Sequence, residues 1–201
     1  MKMSSLDRVL ILLMSLLAAY QIVVGIDKMG SVPIIAYTIA FGVLLVAGLL
    51  LIILGFDALD SPVVVIVSTV IPLALATGLV YQHLAFFRTP YLLFAIFGFA
   101  AVTFTRSIKM QNKLPVITIA IVHGIAGMTI FLLPIITSIQ GQTRPLFSLV
   151  GVGGALIGIG GLLLSFLKTG RPILSRETIL KVLPGLFLLM TVCFVAGFKY
   201  G

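Results

Sequence analysis

The sequence predicts an all-α, polytopic integral membrane protein, a single 1–201 bundle of seven transmembrane helices, and three observations predict it. Of 201 residues, 61% are hydrophobic and only 9% charged, whereas a soluble domain carries about a quarter of its residues as charges. The mean hydropathy is +1.31. The apolar residues form seven continuous runs separated by short breaks rich in Pro, Gly and polar residues. This composition excludes a soluble enzyme, a nucleic-acid-binding domain and a disordered tail. Continuous runs also exclude an outer-membrane barrel, whose strands alternate in short segments.

A helix needs about 20 apolar residues to cross about 30 Å of hydrocarbon. The first run is Val9–Ile26. It follows a basic start but is too long for a leader and lacks a small-x-small cleavage site, so it is expected to be a retained span. Val32–Phe56 and Pro62–Leu84 follow, joined by a short acidic turn holding Asp57 and Asp60. Pro90–Thr105 is short and gains length if it starts within Ala85-Phe86-Phe87. Pro115–Ile139 and Leu146–Leu167 are ample. The last, Ile179–Phe198, is expected to start from Ser175 as N-cap, since a serine oxygen satisfies a free N–H of the first turn.

Lys and Arg set the orientation. Lys2, Arg8, Arg106, Lys109, Lys113, Lys168, Arg171, Arg176 and Lys181 fall on one side; Lys28, Arg88, Arg144 and Lys199 fall on the other. Basic residues gather at the cytoplasmic face, so the expected topology is N-in, C-out, in a cell membrane, with anionic lipids as partners at the inner face. The formal charge of +8 thus points to lipid headgroups, not nucleic acid. Sliding the chain by 82 residues aligns Pro33 with Pro115, Gly42 with Gly124, Gly78 with Gly160 and Pro90 with Pro172. That suggests halves 32–105 and 115–198, an inverted 3+3 repeat after the first helix, as in many transporters.

Lipid is as apolar as leucine, so membrane helices associate by close packing and a few polar contacts. Gly151, Gly154, Gly158 and Gly161 lie at i, i+3, i+7 and i+10 on one narrow helical face, the expected packing seam. Pro72, Pro134 and Pro184 lie inside spans and each frees a carbonyl.

Buried polar groups are the candidates for function because they are costly in hydrocarbon. No Asp, Glu, Lys or Arg lies mid-span, which argues against a carboxylate-driven proton carrier. Cys193 is alone, so no disulfide, redox pair or thiolate metal centre forms within the chain. His123 lies eight residues past Pro115, about 12 Å into the membrane at 1.5 Å per residue. A haem there, and with it a third function of haem-binding electron carriage resting on His123 alone, would need a second axial ligand. His83 ends its span on the opposite side, which leaves a weaker partner such as Met128, and an interhelical hydrogen bond is the plainer expectation. At the outer ends of the first four spans stand Tyr20, Gln21, Tyr37, Thr38, Tyr81, Gln82, His83, Arg88 and Tyr91. Without Trp, the tyrosines are also expected to form the interfacial belt. No metal site or enzymatic motif is present, so no catalysis is expected.

Two functions fit. The first is a small-solute transporter or channel-like protein lined by Tyr37, Gln82, His83, Arg88 and His123. The second is a non-catalytic membrane subunit or scaffold, packing through the glycine face as a homo-oligomer or with other membrane subunits and contacting haem, quinone or lipid. The topology is directly testable. With Cys193→Ala as background, an impermeant maleimide added to intact cells is expected to label Gly201→Cys and to leave Ser4→Cys unlabelled until the membrane is opened.

Overall fold

The computed structural model describes residues 3–26, 29–108, 110, 112–168 and 173–201, excepting the side chains of Asp60, Ser165, Phe166 and Lys168. Lys2, Lys28, Lys109, Arg171 and Pro172, which entered the charge count and the repeat, lie outside the described residues. The chain forms α1 (Ser5–Val24), α2 (Ser31–Leu54), α3 (Pro62–His83), α4 (Arg88–Ser107), α5 (Leu114–Ile139), α6 (Ser148–Lys168) and α7 (Arg176–Tyr200). All seven are long and apolar enough to cross a membrane.

Local chemistry sets the ends. α1 begins four residues before Val9 because Ser4 and Asp7 form a capping box: the Asp7 N–H donates to Ser4 Oγ at 3.1 Å and the Ser4 N–H to Asp7 Oδ2 at 2.8 Å. That reciprocal pair satisfies two N–H groups and holds the carboxylate at the positive end of the helix. α2 ends at Gly55, whose φ of 74° few side chains tolerate, and a 3-10 turn at Phe56–Asp60 leads into α3. Another 3-10 turn, Ala85–Phe87, precedes α4. The helix starts before Pro90 rather than at it, because a proline in the first turn lacks only an N–H that would have no partner there. Ser175 caps α7 as expected, accepting from the Thr178 N–H at 3.1 Å.

Six helices form a closed ring in the order α1, α2, α3, α5, α6, α7, with α7 returning to α1. α4 stands outside it, packed on α3 and α5 alone. α1 and α7 run parallel, so their C-terminal ends meet: Lys199 Nζ donates to Tyr20 Oη at 2.6 Å. Exchanging α2–α4 with α5–α7 would place α2 against α6 as α3 lies against α5, and the ring order separates α2 from α6. Helix neighbours therefore do not follow that exchange.

The ring is filled by side chains: Met14, Phe41, Leu75, Ile130, Met190 and Phe194 are essentially inaccessible. Close approach depends on glycine. Gly48 of α2 leaves room for Met14 and Ser15 of α1, and Gly78 of α3 leaves room for the Tyr37 ring. The Gly151–Gly161 face divides in two. A Cβ on Gly151 would come within 2.6 Å of the Phe131 carbonyl oxygen, and one on Gly154 within 2.8 Å of Ile130 Cγ2, both on α5. Gly158 and Gly161 are exposed and meet nothing. The opposite edge of α6 holds α7 through Gly153, whose Cβ would meet Phe194 at 2.7 Å.

This division separates two variants of like chemistry. Gly154→Leu is expected to lower stability by about 1–3 kcal/mol through overpacking, and Gly158→Leu to change it by less than about 0.5 kcal/mol. Denaturation in mild detergent measures both.

Candidate functional site

The polar residues expected to form one outer cluster sort into separate groups at the end of the bundle opposite the N-terminus. Tyr37 is 2% exposed, deep between α2 and α3, and its hydroxyl donates to Gln82 Oε1 in a short hydrogen bond. Its ring packs on Phe198 of α7 with centroids 4.6 Å apart. Phe198 meets Phe147 at 6.1 Å, and Phe147 meets His83 at 5.2 Å. Tyr37, Gln82 and His83 are thus linked through an aromatic chain joining α2, α7, the turn before α6, and α3. This removes Tyr37 from the interfacial belt. Tyr91 leaves it too: it is buried against α5, next to Thr129 and packed on Phe94 at 5.5 Å. The aromatics left at that end are Tyr20, Tyr81, Tyr200 and the exposed Phe86 and Phe87.

Arg88 is brought to the rim rather than to this pair. It is exposed, donates from Nε to the Tyr81 carbonyl at 2.8 Å, and lies 6.0 Å from the Tyr81 ring centre. One of its five donors is thereby used. His123 is separate again, more than halfway down α5 from that end. Its ring lies by the Ile119 carbonyl, with Arg106 of α4 near enough to act on it through space. Met128 points to another side of α5, so the two do not face one ligand. Among the described residues no three of His, Cys, Asp and Glu gather as a metal site would require.

Among the described residues five buried side-chain atoms have no hydrogen-bond partner: His83 Nε2, Tyr91 Oη, Thr103 Oγ1, Arg106 Nε and His123 Nδ1. All belong to α3, α4 and α5. Other buried hydroxyls, that of Tyr37 excepted, return to their own helices: Ser15 to the Ile11 carbonyl at 2.9 Å, Thr77 to that of Leu73 at 2.7 Å, Thr191 to that of Phe187 at 2.8 Å. Unpartnered atoms in hydrocarbon are costly, which makes this side of the bundle the chemically unfinished one.

A groove of about 680 Å³ opens there. It follows α5 from Gly124 past Met128, Leu132 and Ile136 to Gln140, and is closed at the far end by His83, Leu84 and Gln142. Its lower part is apolar apart from Thr129, whose hydroxyl donates to the Ile125 carbonyl at 2.8 Å, while Thr137, Gln140, Gln142 and His83 make the upper end polar. The sequence signal was present but spread over one helix: Gly124, Met128, Leu132, Ile136 and Gln140 recur every four residues, one row of a helix surface. What periodicity lacks is the end of α3 that closes the groove.

No family model, curated protein or solved structure matches this chain.

The Tyr37–Gln82 bond is measurable as a coupling. Tyr37→Phe and Gln82→Leu are each expected to destabilise the protein, and the double variant by less than their sum. Membrane side-chain hydrogen bonds set the coupling at about 0.5–2 kcal/mol, read from a double-mutant cycle of unfolding in detergent.

Proposed function

We propose that this chain is a non-catalytic membrane protein that holds a membrane amphiphile in the lateral groove on α5. The carrying observation is the groove's polarity: from Gly124 to Ile136 it is apolar apart from Thr129, whose hydroxyl is taken up by the Ile125 carbonyl, and it is polar at the His83, Gln140 and Gln142 end. A ligand with an apolar tail and a polar head matches both parts, and a site open to lipid is loaded from the membrane itself. The filled ring supports this reading, because Phe41, Met190 and Phe194 occupy the axis a solute would follow. We place the protein in a cell membrane, N-in and C-out, with the polar end of the groove facing outward. No cofactor is required. The uncovered Gly158–Gly161 stretch of α6 suits a helix of a second copy or of another membrane subunit.

The second reading, a small-solute transporter or channel, is favoured by the Tyr37–Gln82 pair, a polar contact set inside the bundle at the outer end. Proteoliposome flux lost in Tyr37→Phe would support it over the first. For the amphiphile reading, a lipid with a photoreactive acyl chain is expected to crosslink to peptides covering Gly124–Ile136 well above those of α1 and α2. Labelling spread evenly over all helices would overturn it.

A further inference from the structure

We infer that the groove selects an outer-leaflet phospholipid, with one acyl chain along α5 and its phosphate held at the rim by Arg88, Arg144 and His83. This rests on the amphiphile reading and adds the chemistry of the head. Three features support it.

The first is charge. Arg144 stands two residues beyond Gln142 and Arg88 five beyond His83; both are exposed at the end of the bundle where the groove is polar, and neither lines the groove itself. The acids described in full, Asp7, Asp57 and Glu177, stand at the ends of their helices facing the opposite side. This rim therefore carries cations without a described counter-ion. Arg88 has donors beyond the Nε used on Tyr81, and a guanidinium fork matches phosphate oxygens.

The second is the unpartnered imidazole. His83 packs on Phe147, and its buried Nε2 has no partner within the chain. Nε2 has almost no accessible surface, so a hydrogen bond from it to a phosphate or ester oxygen requires the ring to turn towards the groove that His83 lines. Gln142 Nε2 is already engaged with Gln140 Oε1 at 3.0 Å, which leaves the Gln140 amide N–H groups for the same head.

The third is depth. Gly124 to Gln140 is sixteen residues, about 24 Å of helix at 1.5 Å per residue. α5 has 26 residues, so the groove reaches from the interface to just beyond the helix midpoint. Half of a bilayer of about 40–45 Å, headgroup regions included, is about 20–22 Å, so the groove spans one leaflet with its interface and slightly more. A chain anchored at the outer interface fills it; over its lower two thirds the lining is apolar apart from Thr129, whose hydroxyl already donates to the Ile125 carbonyl.

The test uses the full chain in mild detergent, exchanged against phosphatidylglycerol or against diacylglycerol of the same chains, with retained lipid read by native mass spectrometry. Phosphatidylglycerol is expected to be retained in preference. Arg88→Gln and Arg144→Gln are each expected to lower that preference about fivefold, the worth of one basic residue beside an anionic lipid. His83→Phe keeps the ring packing and is expected to weaken retention further. Gly124→Leu, where an added Cβ meets no protein atom within 4 Å, and Met128→Trp are expected to exclude both lipids. Equal retention of the two lipids, unchanged by the arginine variants, would overturn the phosphate assignment and leave the amphiphile reading standing. Retention unaffected by either groove-filling variant would overturn both.

Discussion

Every part of this structure answers to the near absence of groups able to make hydrogen bonds away from their own helix. With 61% hydrophobic residues and five acids in the whole chain, backbone polarity has to be satisfied locally, which in hydrocarbon means helices. The side chains obey the same constraint. Thr69, Thr77, Thr105, Thr129, Thr137 and Thr191 each donate to a carbonyl one turn back. Groups satisfied in this way hold no helices together. Association is left to shape, which is why Gly48, Gly78, Gly151, Gly153, Gly154 and Gly197 stand where neighbours approach most closely. Among the described residues the exceptions that join helices include Tyr37 with Gln82 between α2 and α3, Arg88 with the Tyr81 carbonyl between α4 and α3, and Lys199 with Tyr20 between α7 and α1.

Where local satisfaction fails, the failures are confined to one side. The five unpartnered atoms lie on α3, α4 and α5. α4 and α5 are also the least covered helices, with 17% and 22% of their apolar windows buried against 56% for α3. Low coverage and unpartnered polarity in the same place differ from a merely lipid-facing surface, which would be apolar throughout. The polarity is also ordered by depth: His83 and Tyr91 lie towards one end, Thr103 and Arg106 towards the other, with His123 between. The first end adjoins the groove along α5.

The sequence makes the helices legible and leaves their arrangement largely hidden. Seven apolar runs are visible because hydrocarbon thickness imposes a length, and Ser175 is visible as a cap because its chemistry is local. The start of α1 is missed by hydropathy because the Ser4–Asp7 box extends the helix into polar sequence. The ring order and the outlying place of α4 are invisible, since a helix apolar on every face gives no direction to its core. For the same reason Tyr37 and Tyr91 read as interfacial tyrosines although both are buried. The four glycines of α6 share a face in the sequence, yet Gly151 and Gly154 meet α5 while Gly158 and Gly161 meet nothing. That difference belongs to the partner, not to α6. Of the candidate site, Tyr37, Gln82 and His83 do come together through packing, whereas Arg88 stands apart at the rim and His123 lies much deeper, more than halfway down α5.

The exclusion of α4 from the ring follows from the same physics and explains where a ligand fits. α3 meets α5 directly, so the helix connecting them in sequence is forced outward and touches two neighbours instead of closing the bundle. Gly98 gives it one close approach, where a Cβ would stand 3.2 Å from Val122 Cγ2, and Tyr91 packs beside Thr129 nearer the opposite end. Beyond that point the chain leaves α3 through the Ala85–Phe87 turn, and its exposed phenylalanines do not fold back over α5. The strip of α5 from Ile125 to Gln140 is thus uncovered because the connection that could shield it is spent on reaching α4. A bilayer fills such a strip with whatever complements it. The strip is apolar along most of its length and ends at an imidazole and two glutamines, with Arg88 and Arg144 close by in the chain, which is the polarity that the proposed amphiphile would match.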